Sequence, residues 1–246
     1  MMRIFGLIGF PLSHSFSKKY FDQKFTSEHI SDANFFLYPI EKIDGVIDLL
    51  NTVPDLQGLA ITIPYKKQII SFLHELSPAV QKMNACNCIR IQNGHLCGFN
   101  TDVIGFKQSF LQKKTEHHAK ALILGTGGAA AAVAFVLDEL NIPYIYVSRK
   151  PSDANHSIHY AEITEQLLQE YTVIINTTPL GTFPDVHTYP PIPYRFLNQK
   201  HYLFDLIYNP SETFFLQKGT EQGCIIQNGY NMLVIQAEEN WRIWNA

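Results

Sequence analysis

The chain has little charge. Asp, Glu, Lys and Arg make up 17% of its 246 residues and leave a formal net charge of −3. That balance gives no global attraction to nucleic acid or to an anionic membrane, and no partner of either kind is expected. No run approaches the ~18 apolar residues that a membrane-spanning helix needs. The apolar stretch at the N-terminus is short, is broken by Gly6 and Gly9, and meets Pro11 without a cleavage-like site. It reads as a first strand and not as an export signal. Cysteine is scarce too. Cys86 and Cys88 stand two apart, which on an extended segment points them to opposite faces, and Cys97 and Cys224 stand alone. The histidines are scattered without ligand spacing. No metal is expected, and reduced, buried thiols fit a cytoplasmic protein. Repeats, low-complexity tracts and heptads are also missing, which leaves monomer and homodimer both open.

What is present is a chain 46% hydrophobic, enough for two small domains each with its own core. Its most informative stretch is residues 120–140. Residues 121–124 form a short apolar run of the kind found in a parallel strand buried on both faces. Gly125, Gly127 and Gly128 follow at once, and then comes an alanine-rich helix with Ala130 where the third glycine of a dinucleotide fingerprint stands. A helix start of this kind offers free N–H groups to an anion such as a pyrophosphate. On the glycines alone, an ordinary turn before a helix remains open.

Around this stretch the pattern alternates. Strands are predicted at 3–8, 35–39 and 58–63, and helices at 17–25, at 43–50 and from 67. A hairpin follows at 85–99 about Asn93-Gly94, the strongest turn signal in the chain. A helix opens near Thr101 or Asp102. Further strands are predicted at 121–124, 144–148, 173–176, 202–206 and 224–227, a proline-rich loop at 182–193, and a last helix at 232–244. The reading is an α/β chain of two domains with a cleft between them. The first is residues 1–101, a small, mostly parallel α/β sheet. The second is 102–228, a Rossmann-like series of about five strands, and 229–246 packs back on the first.

The residue closing the second strand of a Rossmann unit separates the two nicotinamide cofactors. An acid there binds a ribose hydroxyl, whereas an arginine accommodates a 2′-phosphate. Here the strand ends Ser148-Arg149-Lys150 with no acid. Either these are solvated surface charges or they hold a phosphate by charge-assisted hydrogen bonds, and the second reading favours NADP over NAD.

Seven segments then resemble one family in order. They are Gly9-Phe-Pro-Leu-Ser-His-Ser-Phe-Ser17, Gly58-Leu-Ala-Ile-Thr-Ile-Pro-Tyr-Lys66, Asn84-Ala-Cys-Asn-Cys88, Gly98-Phe-Asn-Thr-Asp-Val-Ile-Gly105, Asn176-Thr-Thr-Pro-Leu-Gly181, Asp205-Leu-Ile-Tyr-Asn-Pro210 and Gly229-Tyr-Asn-Met-Leu-Val-Ile-Gln236. With the glycine loop, they make the chain similar to the shikimate dehydrogenases nearly end to end. The resemblance implies a substrate domain followed by an NADP-binding Rossmann domain. It implies reversible reduction of 3-dehydroshikimate to shikimate with NADPH, a step of aromatic amino acid biosynthesis. Lys66 and Asp102 take the acid/base role. Ser15, Ser17, Thr62, Asn87, Tyr208 and Gln236 contact substrate, and Gly125, Thr126, Gly127, Gly128, Ala129, Ser148, Arg149, Lys150, Thr177 and Gly229 hold the cofactor. His14, which could pass for a base, is left a structural role.

Taken singly, most of these residues have plainer readings. Ser15 or Ser17 caps the helix near residue 17, Thr62 is a strand residue, and Asn87 satisfies local backbone. Tyr208 is core, Gln236 faces solvent, Lys66 is a surface lysine and Asp102 is a helix cap. The chain also departs from the family pattern. Ala60 replaces an asparagine, Lys18 a proline, Cys86 and Cys88 a valine and a threonine, and Ser148 an asparagine. Two other activities stay open: an NAD-preferring quinate/shikimate dehydrogenase, and a non-catalytic ligand sensor of the same fold.

Overall fold

The computed structural model describes residues 2–12, 15–152 and 157–246, so His14 lies outside the described residues. The chain divides into two compact units, one of Met1–Ile104 with Val234–Ala246 and one of Gly105–Leu233.

Alternation of apolar side chains builds the first unit. Its strands are β1 (Arg3–Gly9), β2 (Ala33–Pro39), β3 (Leu56–Ile61), β4 (Glu75–Leu76), β5 (Cys88–Gln92) and β6 (His95–Phe99), in the order β2-β1-β3-β5-β6-β4. β1 runs parallel to β2 and β3, whereas β5 is antiparallel to β3 and β6. Because successive side chains leave a strand on opposite faces, β1 sends Phe5 and Leu7 into one core and Ile8 into another. The Ile8 core also holds Leu59, Ile61 and Tyr65, and it receives Val46 and Leu49 from α2 (Gly45–Thr52). The Phe5 core is aromatic. Phe21 and Phe25 of α1 (Phe16–Ser27) meet Phe35 there, together with Trp241 and Trp244 from the end of α8 (Tyr230–Trp244). Trp244 stacks on Phe5 at 5.0 Å, and its indole N–H donates to the Ile89 carbonyl at 3.0 Å. Glu238 accepts from Lys24 at 2.9 Å and from the Tyr20 hydroxyl. Ala60 and Cys88, two departures from the family pattern, are register partners that face this aromatic core. They change packing beneath α8 and remove no charged group.

The second unit is a six-stranded sheet, parallel throughout. Its strands are β7 (Ala121–Leu124), β8 (Tyr144–Ser148), β9 (Ser157–His159), β10 (Val173–Asn176), β11 (Tyr202–Asp205) and β12 (Ile225–Gln227), in the order β12-β11-β10-β7-β8-β9. Counted within the unit this is the Rossmann order 3-2-1-4-5-6, with its crevice where the order reverses between β7 and β10. Central strands β7, β10 and β11 are fully buried, as their unbroken apolar runs require. The helices are α4 (Asp102–Leu111), which begins in the first unit, and α5 (Gly128–Glu139), α6 (Glu165–Glu170) and α7 (Phe214–Glu221).

Six elements differ from the sequence reading, α6 and α7 among them, since neither helix was expected. The edge strand β9 makes six strands where about five were expected, and its Ser-Ile-His offers no apolar run to detect. β4 is two residues long, and α3 (Pro78–Met83) is a short helix with only Val80 buried. The segment from 67 is a 3-10 turn over Gln68–Phe72, not a full helix.

Trp244→Ala should destabilise the protein by about 3–5 kcal/mol, the range for truncating a buried aromatic. Urea unfolding followed by circular dichroism checks it, and a loss below about 1 kcal/mol would mean that the stack on Phe5 and the hydrogen bond to Ile89 add little stability.

Candidate active site

In the first unit the candidate residues stand where strands end. After β3 the chain turns at once, with Tyr65 N–H donating to the Thr62 carbonyl at 2.9 Å. Tyr65 is buried, and its hydroxyl donates to the Ile40 carbonyl at 2.6 Å. That anchor fixes the next residue. Lys66 Nζ donates to Asp102 Oδ2 at 2.6 Å, with 32% of the lysine side chain and 12% of the aspartate exposed. Asp102 is the first residue of α4, where the helix dipole favours a carboxylate. The lysine so paired is no surface charge: it is half-buried and fixed at one end to an acid.

Asn87 sets the position of Asp102. Its side chain is fully buried, and Oδ1 accepts the Thr101 N–H at 2.7 Å. The Thr101 hydroxyl in turn donates to Asn240 Oδ1 of α8 at 2.7 Å. Since a backbone N–H can only donate, it fixes which way the Asn87 amide points. The amide nitrogen Nδ2 is then left buried with no partner among the described residues. Such a donor costs free energy unless an acceptor meets it, and a polyol ligand is rich in acceptors. Asn100, which sequence reasoning did not single out, shows the complement. Its Nδ2 donates to the Ala85 carbonyl at 2.8 Å while Oδ1 is buried and unpartnered. It lies in the matching segment 98–105, just before Thr101-Asp102, and that was the sequence signal for it.

Ser15 caps α1, accepting the Lys18 N–H at 3.2 Å, so the plainer reading holds for its acceptor while its hydroxyl hydrogen stays available. Ser17 is half-buried in the first turn of α1. Thr62 is half-buried and donates its N–H to the Ile8 carbonyl at 3.0 Å, at the ends of neighbouring strands. Gln236 is half-buried on α8. Cys86 has its thiol pushed up to about 12 by burial. It stays a neutral filler and not a nucleophile.

The second unit presents its candidates at the switch point. Gly125 has φ +106°, and a side chain there would meet Thr177 Oγ1 at 2.9 Å. Thr177 is held by its N–H and hydroxyl, both donated to the Leu124 carbonyl at 3.0 and 2.7 Å. Thr126, Gly127, Gly128 and Ala129 are exposed, and nothing lies within 4 Å of where a Cβ would project from Gly127 or Gly128. α5 starts without a side-chain cap, so its first-turn N–H groups face an open cradle. At the end of the adjacent strand β8, Ser148 Oγ accepts the Lys150 N–H at 3.1 Å and shapes the turn. Arg149 and Lys150 are exposed, and neither forms an ion pair among the described residues. An uncapped helix start beside two free cations suits a dinucleotide carrying an extra phosphate. Gly229 donates its N–H to the Ile207 carbonyl at 3.0 Å, and a side chain there would strike the Leu206 carbonyl.

One buried acid binds the loops of this edge together. Asp205 Oδ1 accepts from Asn176 Nδ2 and from the Ile207 N–H, each at 3.0 Å, and Oδ2 accepts from Thr213 Oγ1 at 2.6 Å. Thr213 also caps α7. Tyr208, the remaining candidate, follows on the same loop. It is half-buried, which holds its phenol above the ordinary range.

Residues 7–89 match the model of the shikimate dehydrogenase substrate binding domain. A shikimate dehydrogenase (NADP+) of Caldicellulosiruptor bescii is 33% identical over 99% of this chain and 89% of its own. Among solved structures, a chorismate mutase/shikimate 5-dehydrogenase fusion protein from Clostridium acetobutylicum is similar at 33% identity. It superposes with a TM-score of 0.88, covering 100% of this chain and 92% of that one. The shikimate 5-dehydrogenase of Thermus thermophilus, solved in complex with NADP(H) and shikimate, matches at 26% identity and a TM-score of 0.86, over 99% and 93% of the two chains.

The buried acid is testable by titration. Burial raises the Asp205 carboxyl from 3.8 to about 7, outweighing the hydrogen bonds from Thr213, Ile207 and Asn176, which pull the other way. A raised folded-state value makes its stabilising contribution full below the unfolded value, and that contribution is lost as pH climbs through the folded one. The stability of wild type relative to Asp205→Asn should therefore fall between about pH 4 and 7 and then level off. Urea unfolding of both proteins across that range checks the sign; a difference that grew with pH would reverse it.

Proposed function

The chain belongs to the shikimate dehydrogenase family, and we propose that it is an NADP-dependent oxidoreductase interconverting 3-dehydroshikimate and shikimate through the Lys66–Asp102 pair. The 2.6 Å contact between Lys66 Nζ and Asp102 Oδ2 is the observation that carries this reading. Bound NADPH supplies the hydride. As the ketone carbon accepts it, the carbonyl oxygen gains negative charge and needs a proton within hydrogen-bond reach. Lys66 donates that proton from Nζ, closing the new alcohol, and recovers one from solvent through its exposed third. Asp102 holds the ammonium in position and balances its charge while the oxygen is charged. In the oxidative direction the same pair removes the hydroxyl proton.

The substrate is a small polyol acid, with too little apolar surface to bind by burial alone. Asn87 offers Nδ2, Ser15 and Ser17 offer hydroxyls, and Thr62, Tyr208 and Gln236 complete the polar contacts. The unpartnered Asn87 donor supports this set most directly, because it is a cost the ligand would remove. Arg149, seconded by Lys150, takes the 2′-phosphate; the first turn of α5 from Gly127 takes the pyrophosphate, with Thr126, Ala129, Ser148, Thr177 and Gly229 shaping the cradle. Among the described residues no helix is long and apolar enough to cross a membrane. The four cysteines are unpaired, which suits a reducing cytoplasm, and the working unit is a monomer or a homodimer.

The test is nicotinamide absorbance with shikimate or quinate, each supplied with NADP or NAD. Turnover should be strongest by far for shikimate with NADP. Lys66→Ala should lower kcat by about 10²–10⁴-fold while shikimate binding, read by calorimetry, changes little. Arg149→Ala should raise the KM for NADP about 10–100-fold and leave that for NAD unchanged, the loss of one charge-assisted phosphate contact. Binding without turnover in wild type would point instead to a ligand sensor.

A further inference from the structure

The parallel pairing of β4 with β6 sets Glu75 directly opposite Cys97. His95 lies two residues earlier on β6 and so shares the face of Cys97. The ligand atoms of these three side chains all fall within 4.8 Å of one another. Cys97 Sγ is 3.5 Å from Glu75 Oε2, and His95 Nε2 is 3.9 Å from the same oxygen. We propose that Glu75, His95 and Cys97 form a zinc-class metal site that clips the edge strand β4 to β6.

The donor set argues for the metal. A thiolate, an imidazole and a carboxylate together suit zinc, whereas calcium and magnesium take oxygen donors. Tetrahedral zinc holds such donors roughly 3.4–3.6 Å apart, given its bond lengths of about 2.0–2.3 Å. The sulfur–carboxylate separation of 3.5 Å already has that value, and the imidazole–carboxylate separation of 3.9 Å is a few tenths of an ångström longer. The rest closes by rotating the exposed side chains of Glu75 and His95 onto Cys97, which is buried in the sheet. Cysteinate and glutamate cancel the charge of a divalent ion. Arg90 is the register partner of Cys97 on β5, which places a cation at the rim of the site and adds no competing donor.

His74 is a wall and not a fourth ligand. Its ring stacks on His95 at 4.8 Å, and its Nδ1 accepts the Leu96 N–H at 3.0 Å. That bond puts the ring hydrogen of neutral His74 on Nε2, the atom that would have to ligate. Water is left to fill the fourth position. The other thiols do not compete: Cys86 and Cys88 are fully buried, Cys224 is half-buried in the second unit, and among the described residues no other trio of potential ligands converges.

The experiment uses the full chain stripped of metal with a chelator. Titrated with Co2+, it should bind one equivalent and develop the near-ultraviolet thiolate-to-cobalt charge-transfer band, which Zn2+ then displaces. Zinc should also raise the unfolding temperature, and the rise should continue logarithmically with free zinc above the Kd. Cys97→Ser should abolish the band, and His95→Ala and Glu75→Gln should each weaken binding by about tenfold or more. Shikimate turnover by Cys97→Ser should match wild type. No band at saturating Co2+ would overturn the proposal. So would a band that survives Cys97→Ser, or Zn2+ affinity unchanged in both His95→Ala and Glu75→Gln.

Discussion

The hydrogen bond from the Thr101 N–H to Asn87 Oδ1 is the contact on which the candidate site depends. It is made between fully buried groups, where a lost partner is costly, so it fixes geometry as well as adding stability. From it follow the direction of the Asn87 amide, the starting point of α4 and hence the place of Asp102. Lys66 is set from the other side by the anchored Tyr65. An acid/base pair needs this kind of support, because a small displacement of a proton donor removes most of its benefit.

The two units solve different problems with related sheets. The second is parallel throughout, with fully buried central strands, and places its loops at a single reversal of strand order. There the polar work falls to backbone: free N–H groups at the start of α5 and a glycine with positive φ. The first unit mixes parallel and antiparallel pairs, and its candidate groups are side chains on loops and helices. A charged dinucleotide is recognised well by oriented backbone dipoles. A polyol acid needs hydroxyls, amides and a charged pair, each aimed separately.

Sequence legibility followed the strength of the local signal. β8 and β10 were bounded correctly because unbroken apolar runs ended at polar residues. The hairpin at Asn93-Gly94 announced itself through turn chemistry alone. β4, β9, α3, α6 and α7 went unseen, being only two to eight residues long. Within the site, Lys66, Asp102 and Asn87 owed their selection to family resemblance; nothing in their spacing predicts a 2.6 Å ion pair. Asp205 sat in a matching segment, yet only the structure gives it three donors. Glu75, His95 and Cys97 could not be grouped from sequence, because it is strand pairing, not spacing, that brings Glu75 to the other two.

The helix α8 has a consequence for the order in which the protein is made. Phe5, Phe21 and Phe35 leave the ribosome before the second unit, but their partners Trp241 and Trp244 emerge after it. The second unit lies wholly between these segments and is complete before them. The nascent first unit must therefore carry an uncovered aromatic face while the whole second unit is being made, and that face closes only once α8 has left the ribosome.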